Sequence, residues 1–230
     1  MAVYKSNFLV EQPYSTSLCA QRVLYNCLSM AYQANLISET DIFEIDVVKY
    51  SELYSISIRK AYSHLKQAAV DLKHSDIHIP KENEDKTRII SWVSEIIYKD
   101  SGHFLAIKWH PAIIPYISGF QLGYTPEGRK IWKGNVTKLE ESICKQQSPD
   151  IIRLYELLKK EEWKGTWKVS IEELRRLLHL DETSYPLYAN LKQRIIVKGI
   201  STINELTRMN VKYLDKKFGK KVVGIEFIFR

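Results

Sequence analysis

The sequence predicts an α+β protein built from one helix-and-hairpin unit used twice. Three observations carry that expectation. The phrase Tyr-x-x-Leu-Lys-Gln occurs at Tyr62–Gln67 and again at Tyr188–Gln193, 126 residues apart. Around each copy the same order of patterns recurs: an amphipathic helix, a short helix, a longer helix carrying the phrase, and two β-rich runs joined by a turn. Between the copies lies "LGYTPEGRKIWKGN", whose Gly, Pro and charge mark a connection. A helix-turn-helix followed by a β-hairpin is a winged helix. The expected architecture is therefore two tandem winged-helix domains, residues 1–122 and 148–230, with 123–147 as a linker region.

In the first unit, a helix is expected from about Ser17 to Gln33, with Leu18, Arg22, Tyr25 and Ser29 among its residues. "YSELYSIS" supplies the short helix, with the pair Glu52-Leu53. In the longer helix Ile58, Ala61, Leu65, Ala69 and Leu72 share one face at helical spacing, while Arg59, Lys60, Ser63, Lys66 and Gln67 point away. "RIISWVSEIIY" and "FLAIKW", separated by "KDSGH", read as the hairpin.

The second unit opens with "PDIIRLYELLKK", where Pro149 suits a helix start. Ser170-Ile171-Glu172-Glu173 is a capping-box pattern, so a short helix starts there with Leu174, Leu177 and Leu178 on one face. "DETSYP" breaks it. A helix from about Leu187 to Leu206 follows, with Leu191, Ile195, Ile203 and Leu206 inward and Asn190, Gln193, Arg194, Val197 and Ser201 outward. "MNVKYLD" and "VVGIEFIF" flank the turn "KKFGKK". The pairs Glu52-Leu53 and Glu173-Leu174 stand 121 apart, so the two registers agree within five residues.

The 230 residues carry 34 Lys+Arg against 27 Asp+Glu, and the excess is uneven. Residues 1–147 hold 17 against 16, whereas the last 39 residues hold 10 against 3. A basic C-terminal region suits a polyanion, although charge alone also describes a solvated surface. No apolar run approaches the roughly 18 residues of a membrane span, and "MAVYKSNFLVEQPY" has no signal-peptide core. Cys19, Cys27 and Cys144, without CxxC spacing, read as reduced thiols of a cytosolic protein. There is no GxxxxGK[ST] loop, no GxGxxG and no His-apolar-His motif, and His74 and His78 lack the metalloprotease Glu between them. The expectation is no catalysis, no cofactor and no metal.

The repeated phrase lies on the third helix of each unit, the element that reads the major groove in such folds. Matching leucines are explained by a shared core; a repeated outward Lys-Gln is not. Asn, Gln and Arg form paired hydrogen bonds to purine edges, and Lys and Arg meet phosphates. On the second helix Asn190, Gln193 and Arg194 fit the reading role, with Lys192 and Lys198 flanking them toward the backbone. Lys216, Lys217, Lys220 and Lys221 around the "KKFGKK" turn form a basic wing, which could equally protect a sheet edge. In the first unit Arg59, Lys60, Ser63, Lys66 and Gln67 are expected to position the protein more than to specify sequence.

Four C-terminal segments, "IIRLYELLKK", "VSIEELRRLLHL", "YANLKQRIIVKGISTINELT" and "KKFGKKVVGIEFIF", resemble the C-terminal winged helix of the initiator Rep proteins of iteron plasmids. "KSNFLVEQPYSTSLCAQRVLYNCLSM", "RKAYSHLKQAAVDL" and "WHPAIIPYISGF" resemble that family's N-terminal winged helix more loosely. The family's basic pair on the second recognition helix falls at Lys192 and Arg194. Two stretches depart from its pattern: "QQSPDII" before the "RLYELL" helix, and a longer segment from Leu122 to Cys144. The resemblance implies a bacterial plasmid replication initiator that binds the direct repeats of an origin in double-stranded DNA. It further implies recruitment of a host replication initiator and helicase, and a monomer in equilibrium with a homodimer formed through the N-terminal unit. That dimer would bind an operator inverted repeat as an autorepressor. The implied location is the cytoplasm, at the nucleoid or plasmid. A winged-helix transcription repressor with no origin role, or a protein-interaction module, would use the same fold.

Overall fold

A computed structural model describes residues 2–80, 87–98, 103–120, 136–181 and 183–230. Its elements, in order, are β1 (Ala2–Ser6), α1 (Asn7–Glu11), α2 (Leu18–Ala34), β2 (Phe43–Asp46), α3 (Val47–Leu53), α4 (Ile58–His74), β3 (Asp76–Pro80), β4 (Thr87–Ser91), β5 (Val93–Tyr98), β6 (Phe104–Trp109) and β7 (Val136–Glu140). The second half has α5 (Pro149–Glu161), β8 (Thr166–Ser170), α6 (Ile171–Leu177), α7 (Tyr188–Leu191), α8 (Lys198–Leu206), β9 (Val211–Phe218) and β10 (Lys221–Phe229).

Both halves are winged helices of one topology. Each has a three-stranded antiparallel sheet, β2-β6-β5 in the first and β8-β10-β9 in the second, so the strand before the short helix pairs with the last strand of the hairpin. The side chains of Asp46 and Ser170 cap α3 and α6 by accepting the N–H groups of Lys49 and Glu173. These caps stand 124 residues apart, which corrects the register expected from the Glu-Leu pairs. Leu174 matches Tyr50, and both are buried; Leu53 matches Leu177.

The first hairpin also departs from expectation. "RIISWVSEIIY" is two strands rather than one: β4 pairs with β3, and only β5 pairs with β6. The break falls at Trp92, which is fully buried and meets Tyr14 edge-on. At this residue the chain passes from the β3-β4 pair to the three-stranded sheet. Ile58 is exposed rather than on the inner face of α4, because Ala68 joins Ala61, Leu65, Ala69 and Leu72 in closing that face. Most of the expected hairpin connection and the segment "LGYTPEGRKIWKG" lie outside the described residues. Within the stretch read as linker, residues 136–140 form β7, which pairs antiparallel with β1 from Ala2↔Glu140 to Ser6↔Val136.

The two halves share α5. Its residues from Ile151 to Leu158 are all buried, a helix enclosed on every side. Fully buried Glu156 accepts from Lys5 Nζ (2.6 Å), Tyr14 Oη (2.6 Å) and Tyr25 Oη (3.0 Å), all of the first half, and pairs with Arg153 of its own helix. Burial alone would push the Glu156 carboxyl up. The charges of Lys5 and Arg153 outweigh burial and hold it down, to about 2. Lys5 Nζ also lies over the rings of Tyr14, Tyr25 and Trp92 at 5.1, 5.4 and 5.6 Å. Buried Arg22 of α2 donates to the Cys144 carbonyl (2.8 Å), and Gln21 to the Pro149 carbonyl (3.2 Å), tying the first half to the start of α5.

Candidate nucleic-acid interface

The second recognition helix runs from Tyr188 to Leu206 as α7, a π-helical segment Lys192–Val197, and α8. The π segment has a cause in packing. Leu65 and Ala69 of α4 match Leu191 and Ile195 at the 126-residue offset, and all four are buried. Beyond Ile195 the second helix must also bury Ile196, Gly199, Ile200 and Ile203. Buried positions that stay four apart, at Leu191, Ile195, Gly199 and Ile203, drift round a helix of 3.6 residues per turn. One wide turn absorbs that drift. Gly199 then passes so close to α5 that an added Cβ would lie 2.9 Å from Leu154 Cδ2.

The approach to this helix is held by side chains. The guanidinium of Arg175 donates to the carbonyls of Tyr185 (3.0 Å), Asp181 (2.8 Å) and Ser184 (2.6 Å). The Asp181 carboxylate accepts from the Thr183 hydroxyl and the backbone N–H groups of Thr183 and Ser184, which hold it below its usual range. His179 and Tyr185, at φ +54° and +53°, bracket the connection, and the Tyr185 hydroxyl reaches Asp150 of α5 at 3.3 Å. Neither positive φ belongs to glycine, so the surrounding bonds offset that strain.

The structure brings Asn190, Gln193 and Arg194 together, exposed on one outer arc of the helix, with Lys198 exposed further along. Lys192 is placed differently. Its Nζ donates to Asp215 Oδ2 at 2.7 Å, Tyr188 Oη donates to Asp215 Oδ1 at 2.6 Å, and Lys192 also lies 5.5 Å from the Tyr213 ring. Burial alone would push the Asp215 carboxyl up; the bonds from Lys192 and Tyr188 outweigh it and hold the group below its usual range. The same contact holds the Lys192 ammonium above its own. Asp215 therefore latches strand β9 to the first turns of the recognition helix. Sequence reasoning missed Asp215 and Arg175 as structural parts of this surface. One signal was available: Asp215 is the lone acid in "DKKFGKK".

The wing differs from expectation in where its lysines lie. Strands β9 and β10 run further than the sequence suggested, so Lys216 and Lys217 sit on β9 and Lys221 on β10, leaving Gly219-Lys220 as the turn. Lys216 pairs with Glu226, which also meets Lys168 at 3.5 Å. Lys217, Lys220 and Lys221 are exposed at the end of the hairpin. On α4, Arg59, Lys60, Ser63, Lys66 and Gln67 are all exposed, and Gln67 donates to Asp71 at 2.7 Å. Among the described residues no group of three or more His, Cys, Asp or Glu is placed to hold a metal ion, and no helix is long and apolar enough to cross a membrane.

Two family models match this chain. Residues 2–127, more than half of its length, match "Initiator Replication protein, WH1", and residues 170–229 match "Initiator Rep protein, WH2". The chain belongs to the initiator Rep protein family. A relative from Escherichia coli, "Uncharacterized 27.6 kDa protein", is 27% identical over 233 residues, covering 97% of this chain and 93% of its own. Among solved structures, the Pi initiator protein in complex with iteron DNA aligns with a TM-score of 0.79 at 22% identity, covering 99% of this chain and 96% of that one. Domains 2 and 3 of RctB align with a TM-score of 0.52 at 10% identity, covering 93% and 81%. At these identities the two structures establish a shared fold. The tandem winged-helix fold is thus common to this chain and the Pi initiator protein.

Proposed function

We propose that this Rep family member starts plasmid replication by binding direct repeats of its origin in duplex DNA, with the second recognition helix as the main reader. The observation that carries the reading is the outer arc of Asn190, Gln193 and Arg194 beside a wing that is latched to the same helix and ends in Lys217, Lys220 and Lys221. Purine-reading groups and phosphate-meeting groups share one surface. Likeness in fold to the Pi initiator, solved on iteron DNA, supports it. The first unit, with Arg59, Lys60, Ser63, Lys66 and Gln67 exposed on α4, adds backbone contacts. A homodimer formed through the first unit represses the chain's own promoter, and the DNA-bound monomer recruits a host initiator and helicase in the bacterial cytoplasm.

Two measurements test this. A footprint on the DNA flanking its own gene should show protected repeats of roughly 20 base pairs, because two recognition helices in successive major grooves lie about one helical turn apart. A plasmid carrying those repeats but no initiator should replicate only when the protein is supplied. Protection without replication would leave a repressor; protection of half a turn would exclude joint reading by both units.

A further inference from the structure

We infer that Phe218, at the tip of the second wing, is an apolar wedge that enters the minor groove beside the repeat and unstacks a base step, so that binding kinks the duplex. This rests on the proposal that the chain binds duplex DNA. At 82% exposure Phe218 is the most exposed large apolar side chain among the described residues. It ends β9 opposite Lys221, and the turn beyond it uses Gly219 at φ +60° with open space around it. Nothing in the described structure covers the ring.

Two features say what kind of surface it meets. First, the ring is flanked by exposed Lys217, Lys220 and Lys221. An apolar protein partner that buried the ring would have to strip water from those ammonium groups without compensation. A nucleic acid supplies both needs: phosphates for the lysines, and the flat face of a base for the ring. Edge protection alone calls for lysines and gives no use for a phenylalanine. Second, the wing has a fixed base and a fixed reach. Asp215 holds it to Tyr188 and Lys192 at 2.6 and 2.7 Å, and Phe218 lies three residues further. At about 3.3 Å per residue the tip stands about 10 Å past the latch. Half the width of a major groove is about 6 Å, so a strand leading across the groove from a helix seated at its centre would carry such a tip past the phosphate rim, toward the neighbouring minor groove. The register shift between Val222 and Gly224 adds local twist to the hairpin just behind the tip.

The test uses the full chain and the duplex protected in the footprint, end-labelled for energy transfer and carrying 2-aminopurine at one flanking position at a time. Wild type should shorten the end-to-end distance and raise 2-aminopurine emission at one step. Phe218→Ala should abolish that emission and reduce the bend while raising Kd no more than about tenfold, because the cost of unstacking is roughly offset by the ring's burial. Phe218→Leu should restore most of both signals, since the wedge needs bulk and apolarity rather than aromaticity. If Phe218→Ala binds and bends like wild type, the ring serves a protein contact and the inference is wrong. It is equally wrong if wild type binds without bending, or if affinity falls while bend and emission persist. Failure of wild type to prefer any duplex is a different result, which removes the DNA-binding proposal and this inference together.

Discussion

Replacing Glu156 by Gln probes whether the two winged helices form one body. Glu156 is fully buried on α5 and collects donors from Lys5, Tyr14 and Tyr25 of the first half while pairing with Arg153 of the second. Its carboxyl is held at about 2, against an ordinary 4.5. A depression of that size corresponds to about 3 kcal/mol of stability. The sign follows from its direction: the contribution is complete above about pH 4.5 and is lost as pH falls toward 2. Gln keeps the shape but removes the charge, leaving Lys5 and Arg153 buried together with no anion. Breaking a buried pair in this way costs about 3–5 kcal/mol. Urea unfolding at pH 7 should show that loss. A series down to pH 3 should show stability falling in wild type over a range where Glu156→Gln is flat, once other carboxylates are matched. A loss below about 1 kcal/mol, or identical pH profiles, would refute the argument.

The interface makes three further predictions. Arg194→Ala should cost about 1–3 kcal/mol on the specific duplex and much less on random DNA, measured by titration at two salt concentrations; equal losses would make Arg194 a phosphate contact. Replacing Lys217, Lys220 and Lys221 together by Ala should weaken both kinds of DNA alike and flatten the salt dependence, whose slope is near −5 for about six phosphates, by about 2 to 3. Lys216→Ala should do less, because Lys216 is engaged by Glu226. Asp215→Asn should release Lys192 to the backbone, steepening the salt slope by about 0.9 and raising random-DNA affinity while specific affinity falls with the loosened wing; an unchanged slope would show that Lys192 stays docked without the carboxylate.

What the sequence revealed and what it hid divide along the range of the interactions involved. The capping box at Ser170, the inner faces of α4 and α6, and the repeated Tyr-x-x-Leu-Lys-Gln are local patterns, and they led to the winged-helix architecture. Strands β2 and β8, "FEID" and "TWKVS", are too short to alternate visibly, although they complete both sheets. The pairing of β1 with β7 joins residues 130 to 138 apart, for which no periodicity speaks. Trp92 stands in a continuous β-rich run, and only its burial between two strand pairs reveals the break. The same holds at the interface. The outward arc of Asn190, Gln193 and Arg194 follows from helical spacing, whereas the engagement of Lys192 depends on an aspartate 23 positions downstream on another element.

A buried charge network between the two halves does something that an apolar seam would not. The Arg153 guanidinium donates to the carbonyls of Val10 (3.1 Å) and Gln12 (3.2 Å) at the end of α1, and of Leu177 (3.2 Å) at the end of α6. Those carbonyls sit where helices leave acceptors unpaired and carry partial negative charge, so a cation there is matched twice over. An apolar residue of similar volume would fill the space yet strand all three acceptors, at about 1–3 kcal/mol for each one left unsatisfied. Apolar contact also tolerates sliding, while hydrogen bonds fail with small changes of distance and angle. Arg153 and Glu156 therefore set the angle between the halves as well as holding them together. Under the proposed binding of duplex DNA, with one reading helix from each half, that angle decides whether α4 and the Tyr188–Leu206 helix can meet successive grooves of one duplex.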